Sequence, residues 1–465
     1  MKNKQIALWM LLSSFFTLNS SHAETLSYLL ELATNNEPTY LSAISTVQAA
    51  NARTDQALGG LLPHIDVSAN TNYNTRDFRF RSTSNRPQQD TYNSNAQQLN
   101  ITQPIWSGPG YLGLQQAKAA ASQAEQQLED AEQELLAKVV TAWFDLLAAR
   151  DQVQFTQQQI ELAEFWQKVV QRSVELGSMG QPELDEAKAK LAQAHAEKMT
   201  AESEESLKRA ALEQIVGTLS QLTPTYLRSD ATLANISNGS LSEVLAHVEA
   251  GNHKILAASH ALKAAMDEVH KQAAGHQPTL DLVASYGRNS QSVGGFAGQE
   301  GYDVIQGSIG LQFKLPLYSG GAQSAKVAEA VALKEKARHD VEAARRESLL
   351  AAKQAWYGWH SVFSKANAAV QAINAANTAL QAATMSADNG LESELEVLEA
   401  KQQLSEAQRD YNKSRYDQVV NFVKLKAVLG VLTTKDITAL DSLFESRTAS
   451  TNAPAATNVS TGRVE

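Results

Sequence analysis

Ile309-Gly310-Leu311-Gln312-Phe313-Lys314-Leu315-Pro316-Leu317-Tyr318-Ser319-Gly320-Gly321 alternates apolar residues with polar or small ones as far as Leu317, then breaks at two glycines. A period of two places Ile309, Leu311, Phe313, Leu315 and Leu317 on one face of a β-strand. The end of this stretch has a counterpart earlier in the chain, because Tyr318-Ser319-Gly320 answers Trp106-Ser107-Gly108. Other matches lie about 213 residues apart: Ala142-Trp143-Phe144 with Ala355-Trp356-Tyr357, Gly177 and Ala187 with Gly390 and Ala400, and Val216-Gly217 with Leu429-Gly430. The chain is a tandem duplication of one long unit, far above the period of a short-repeat solenoid.

Each copy places two alternating segments ahead of a very long Ala-rich helical stretch. In the first copy, Pro63 ends a helical region over 26–62 that Pro38 interrupts. Ile65, Val67, Ala69, Thr71 and Tyr73 then alternate with polar residues, and after a polar stretch over Arg81–Asn95 the alternation resumes with Leu99, Ile101 and Ile105. In the second copy, Leu280, Leu282, Ala284 and Tyr286 lie before a loop over Arg288–Asp303 that holds Gly294-Gly295, and the quoted stretch follows it. Four strands result, each long enough to cross an outer membrane when tilted. From Gly110 to Gly177 the chain has no Pro and only Gly113 as an internal Gly, which at the α-helical rise is roughly 100 Å of helix. Leu114, Ala121, Leu128, Leu135 and Ala142 fall seven apart, a seam in which alanines let helices approach closely. A second long helix runs over Ala322–Asp388, and returning helices over 183–216 and 393–429 end at Gly217 and Gly430, so each copy contains a helical hairpin.

Composition narrows the function. Lys2 and Lys4, the apolar run Ile6–Leu18 and Ser21-His22-Ala23 predict a secretory leader cleaved before Glu24. Its loss takes the formal charge from −10 to −12, with no basic stripe, so nucleic acid is not an expected partner. With no Cys, disulfides and thiolate metal sites are excluded. His253, His260, His270 and His276 lack the spacing of a catalytic zinc motif, and there is no nucleophile elbow, phosphate loop or dinucleotide fingerprint. Neither an enzyme nor a cofactor is expected. No stretch of the mature chain is a spanning apolar helix, so membrane insertion requires a closed β-barrel. Bacterial barrels start at eight strands, so several chains must share one.

The chain resembles the TolC-type outer-membrane channel-tunnels over essentially its whole mature length. The resemblance is carried by Gly275-His276-Gln277-Pro278-Thr279-Leu280-Asp281-Leu282, by Leu311 through Gly321, and by the turns from Gly177 to Ala187 and Gly390 to Ala400. It implies a mixed α and β fold in which three chains give four strands each to one outer-membrane barrel, continued by a periplasmic α-helical barrel of coiled-coil hairpins. The expected divisions are a leader (1–23), periplasmic helix (24–63), strand pair (64–106), hairpin (107–217), equatorial connection (218–240), second periplasmic helix (241–277), second strand pair (278–318), second hairpin (319–430), equatorial segment (431–445) and disordered tail (446–465). The implied function is the exit duct of a tripartite efflux pump or type I secretion system, carrying small molecules, proteins or both. Implied partners are two further copies, outer-membrane lipid, a periplasmic adaptor (membrane fusion) protein and an inner-membrane ABC or proton-driven transporter. The alternative from the helices alone is a periplasmic coiled-coil scaffold or adaptor, which has no use for four matched strands.

In such channels the positions six and nine after the second-copy Gly ring the constricted entrance, and here they are Glu396 and Glu399. Read without the resemblance, they are simply acids in a first helical turn, where the helix dipole favours them. The first-copy equivalents are Glu183 and Glu186. Leu176, Gly177 and Ser178, with Asn389, Gly390 and Leu391, match the adaptor-contact turns, although glycine also serves a turn simply by accepting positive φ. The family's Tyr/Arg latch has no equivalent, because its positions hold Ala387 and Glu392.

Overall fold

The computed structural model describes residues 25–78, 88–219, 225–227, 240–294, 299–389, 394–442 and 444–446. The expected leader, the tail after 446 and the residues between the strands of each pair (79–87 and 295–298) lie outside them.

Thr25 caps α1 (Leu26–Asn36), and Pro38, at the first position of α2 (Pro38–Gly59), starts the second helix where its missing N–H costs nothing. Past Pro63 the chain forms β1 (His64–Phe78) and β2 (Gln88–Trp106). Ser107 caps α3 (Gly108–Glu175), its Oγ accepting from the Gly110 N–H at 3.2 Å. Next come α4 (Gln181–Val216), β3 (Thr225–Leu227), α5 (Leu241–Gly251), α6 (His253–Ala274), β4 (Thr279–Val293), β5 (Glu300–Lys314), α7 (Ala322–Asp388), α8 (Glu394–Val428), α9 (Thr434–Asp441) and β6 (Phe444–Ser446). α3 and α7 have 68 and 67 residues, the length their uninterrupted sequences require.

The four long strands form one antiparallel sheet in the order β1-β2-β4-β5, so the second strand of the first copy pairs with the first strand of the second. The helices repeat this arrangement. On the sheet side α2, α3, α6 and α7 are successive neighbours, and on the far side α4, α3, α8 and α7 are. The two sides meet at the core. There Leu26, Leu29, Val139, Val140, Trp143, Phe144, Leu147, Leu212, Val216, Val419, Val423, Ile437 and Leu440 are buried together, drawn from α1, α3, α4, α8 and α9. Outside that core some helices meet along narrow Ala seams, such as Ala50 with Ala121 and Ala124, and a smaller cluster of Val248, Ile255 and Ala352 joins α5 and α6 to α7. β3 and β6 close the core by pairing Leu227 with Phe444, which joins the connection between the copies to the C-terminal segment.

Three expectations about the strands change. The polar stretch Arg81–Asn95 is not all loop, because Gln88–Asn95 pair with Thr71–Phe78. In the same way Arg288–Val293 and Glu300–Asp303 belong to β4 and β5. These residues are polar on both faces, so they carry no period-two signal although the backbone ladder continues through them. Conversely, Leu315 and Leu317 fall outside β5, which ends at Lys314, opposite the first residue of β4.

Candidate functional site

Two surfaces are candidates for function, one on the sheet and one at the far end of the hairpins. On the sheet, register turns sequence alternation into rows that cross all four strands. Ile65, Ile101, Ala284 and Ile309 form one row, and Val67, Leu99, Tyr286 and Gly307 the next. This face is apolar and open: Val67 and Ile309 are each 76% exposed. The opposite face is polar, with Asn100 donating to Asp66 at 3.0 Å and Ser285 and Ser308 sharing a 2.8 Å hydrogen bond. A sheet that is apolar on one face and wet on the other suits the wall of a barrel between lipid and water.

At the far end, Gly177 adopts φ 75°, and the N–H of Ser178 donates to the Ser173 carbonyl at 2.9 Å, closing α3 with a left-handed glycine cap. The conformational role of Gly177 is therefore direct. Beside it Leu176 is 70% exposed and Ser178 is also at the surface. In the second copy Asn389 ends α7, its side chain donating to the Met385 carbonyl at 2.7 Å, while Gly390, Leu391 and the latch position Glu392 lie outside the described residues.

Glu183 accepts from the Gly180 N–H at 3.1 Å, the local helix-start role its position favours. Glu186 pairs with Lys190 at 2.9 Å, one turn on. Glu396 and Glu399 lie on the first turns of α8, both exposed. They are one internal repeat from Glu183 and Glu186, and Ala187 and Ala400 just beyond are both buried, so the two copies present their acids in matching settings. Arg172 and Lys188, the nearby cations, pair within their own helices with Glu175 at 3.1 Å and Asp185 at 3.4 Å.

Sequence reasoning missed the anchor between α3 and α8. Asp151 is 8% exposed, and its Oδ2 accepts from Tyr416 Oη at 2.9 Å and Asn412 Nδ2 at 3.2 Å. Burial pushes the Asp151 carboxyl above its ordinary range, and the two hydrogen bonds pull against that rise. The Arg409 guanidinium lies 4.4 Å from the centre of the Phe155 ring, and Ser405 donates to Gln158, so a polar ladder runs from the core toward the tip. The available signal was one Asp two places after the apolar run Leu146-Leu147-Ala148-Ala149, beyond Arg150. Of the four histidines, His253 shares a 3.1 Å hydrogen bond with Gln126, and among the described residues no cluster of metal-ligating side chains occurs.

A four-stranded sheet with one lipid-like face, continued by roughly 100 Å of coiled-coil hairpin, defines an outer-membrane channel-tunnel. The chain belongs to the outer membrane efflux protein family, whose model matches residues 29–218 and 244–431, one span in each copy. It is 25% identical to outer membrane protein TolC of Vibrio cholerae over 423 residues, covering 90% of this chain and 94% of that protein. It is 26% identical to the proteases secretion protein PrtF of Dickeya chrysanthemi over 454 residues, covering 96% of each. The Campylobacter jejuni CmeC outer membrane channel has the same fold, with a TM-score of 0.74 at 19% identity over 90% of this chain and 89% of that one. The protein is an outer-membrane exit duct with a periplasmic tunnel, in a family of transport channels and not of enzymes.

Proposed function

We propose that three copies close into one twelve-stranded barrel over a twelve-helix periplasmic tunnel. The observation that carries this reading is the open sheet: among the described residues β1 and β5 are unpaired edges, and an unpaired edge in hydrocarbon costs several kcal/mol for each orphan group. Closure among copies removes those edges while the apolar face meets lipid. The same surface argues against the soluble scaffold, which would leave Val67, Ile309 and Phe313 in water.

At the tip, Glu396 and Glu399 from three chains, flanked by Glu183 and Glu186, ring the constriction and favour cations there. The turns Leu176–Ser178 and Asn389–Leu391 dock a periplasmic adaptor, a reading supported by the exposed Leu176 and Met179. An inner-membrane ABC exporter or proton-driven pump supplies the energy, and small molecules, proteins or both pass through the duct. The mass of the detergent-solubilised protein tests the assembly: three chains are expected, and a two-chain mass refutes it. Affinity capture after cross-linking in cells should recover an adaptor and a transporter, and capture should fail when the turns are replaced.

A further inference from the structure

Register fixes the height at which the lipid-like face of the sheet stops being apolar. Along β4 and β5 its successive rows are Leu280 with Phe313, Leu282 with Leu311, Ala284 with Ile309 and Tyr286 with Gly307. Leu315 and Leu317 carry the alternation on below Phe313. From the level of Leu317 up to that of Tyr286 is roughly ten residues, which at about 3.4 Å each and a tilt of about 40° spans roughly 26 Å. That matches the outward apolar band of an outer-membrane barrel, about 25 Å tall. The row above Tyr286 is therefore the first to leave the hydrocarbon, on the side remote from the helices.

That row and the next are polar in the middle of the sheet. Gln97 lies between Ala69 and Arg288, and Asn95 between Thr71 and Ser290. Together these residues line a shallow recess of about 390 Å³ on the outward face. Arg288 is held in place across the strands, its Nε donating to the two carboxylate oxygens of Asp303 at 2.8 and 3.0 Å. Tyr286 below the recess and Tyr73 above it, on the same face, are 61% and 72% exposed.

We propose that this recess binds the sugar headgroup of the glycolipid in the outer leaflet, an inference that rests on the barrel reading. Sugar hydroxyls both donate and accept, as do the carboxamides of Asn95 and Gln97 and the hydroxyls of Thr71 and Ser290. The Arg288–Asp303 pair adds fixed donors beside a fixed acceptor. The tyrosines offer rigid apolar ring faces with a polar tip, which suits the C–H face of a pyranose. A bare phosphate finds less here, because Arg288 already has its counter-charge in Asp303.

Continuity selects a membrane glycolipid over a free polysaccharide. Directly below the recess Val67, Leu99 and Tyr286 form an apolar row, so one molecule can lay its acyl chains there and its sugars above. β1 and β2 also run past the recess, to Phe78 and from Gln88, so the sheet itself extends into the headgroup layer. Such a contact holds the barrel at one depth.

The mature protein in nanodiscs of phosphatidylethanolamine and phosphatidylglycerol, with an acylated and phosphorylated glucosamine disaccharide as the probe, tests the site. Native mass spectrometry after detergent release counts the lipids each assembly keeps. Wild type should keep the glycolipid in preference to phospholipid. Asn95→Leu/Gln97→Leu should cut glycolipid retention about fivefold or more and leave phospholipid retention unchanged. Arg288→Gln/Asp303→Asn keeps the net charge and should show the same loss, which covers failure of the leucine variant to assemble. The dephosphorylated probe should be kept as well as the intact one. Retention that disappears with the phosphates makes phosphate the ligand and overturns the sugar assignment. Equal retention of phospholipid, or an assembled barrel whose glycolipid retention is unchanged in the variants, overturns the site. A single-chain mass overturns the barrel reading itself.

Discussion

Replacing Tyr416 by Phe removes one hydroxyl and keeps the ring, which lies 5.6 Å from that of Phe144. The lost 2.9 Å hydrogen bond runs to a buried carboxylate that is left with the Asn412 amide alone. A hydrogen bond to a charged group is worth about 1.5–3 kcal/mol, so openings that detach α8 from α3 should become roughly ten- to a hundredfold more frequent. The effect depends on pH. Burial already raises the Asp151 carboxyl, so between the unfolded and native pKa values the native state binds more protons, and its stability falls as pH rises through that window. Tyr416→Phe removes a bond that favours the charged form and raises the native value further. The deficit relative to wild type is therefore full above that value and shrinks as acidification protonates the carboxyl. Hydrogen-exchange mass spectrometry of α8 amides between Arg409 and Val420, as the variant-to-wild-type ratio at neutral and mildly acidic pH, measures both features. Equal protection at both pH values, or a ratio that grows on acidification, would refute the anchor.

Glu396→Ala/Glu399→Ala should leave assembly intact, because alanine is a good helix former, while abolishing cation selectivity and multivalent-cation block in planar bilayers at low salt; unchanged block would remove these residues from the constriction. Gly217→Ala should destabilise the junction of α4 with the core by about 1–3 kcal/mol in denaturant unfolding, since φ 90° and ψ −178° are open essentially only to glycine. A stability within error of wild type would contradict that conformation. Cysteines introduced within 81–87 and 295–298 should react with a membrane-impermeant biotin reagent in intact cells, because these residues join the strand ends remote from the helices. Labelling only after permeabilisation would invert the topology.

Much of this architecture was legible in the sequence because its signals are local. The duplication, the alternation of Ile65–Tyr73 and Leu280–Tyr286, and the long helices read over Gly110–Gly177 and Ala322–Asp388 need only period and breakers. The polar outer ends of the strands were not legible, since Gln88–Asn95 have no apolar face to report a period. Nor was the Asp151 anchor, because Asn412 and Tyr416 lie 261 and 265 residues away and no local rule brings them together.

The sequence by itself determined that the chain carries two copies of a strand pair and a long helical hairpin, because backbone sterics and the spacing of apolar residues act within a few residues. Only the tertiary structure decided that β2 joins β4, that the core gathers around Trp143 and Phe144 where the copies meet, and that β5 ends at Lys314. Those outcomes depend on which distant backbone and side-chain groups satisfy one another.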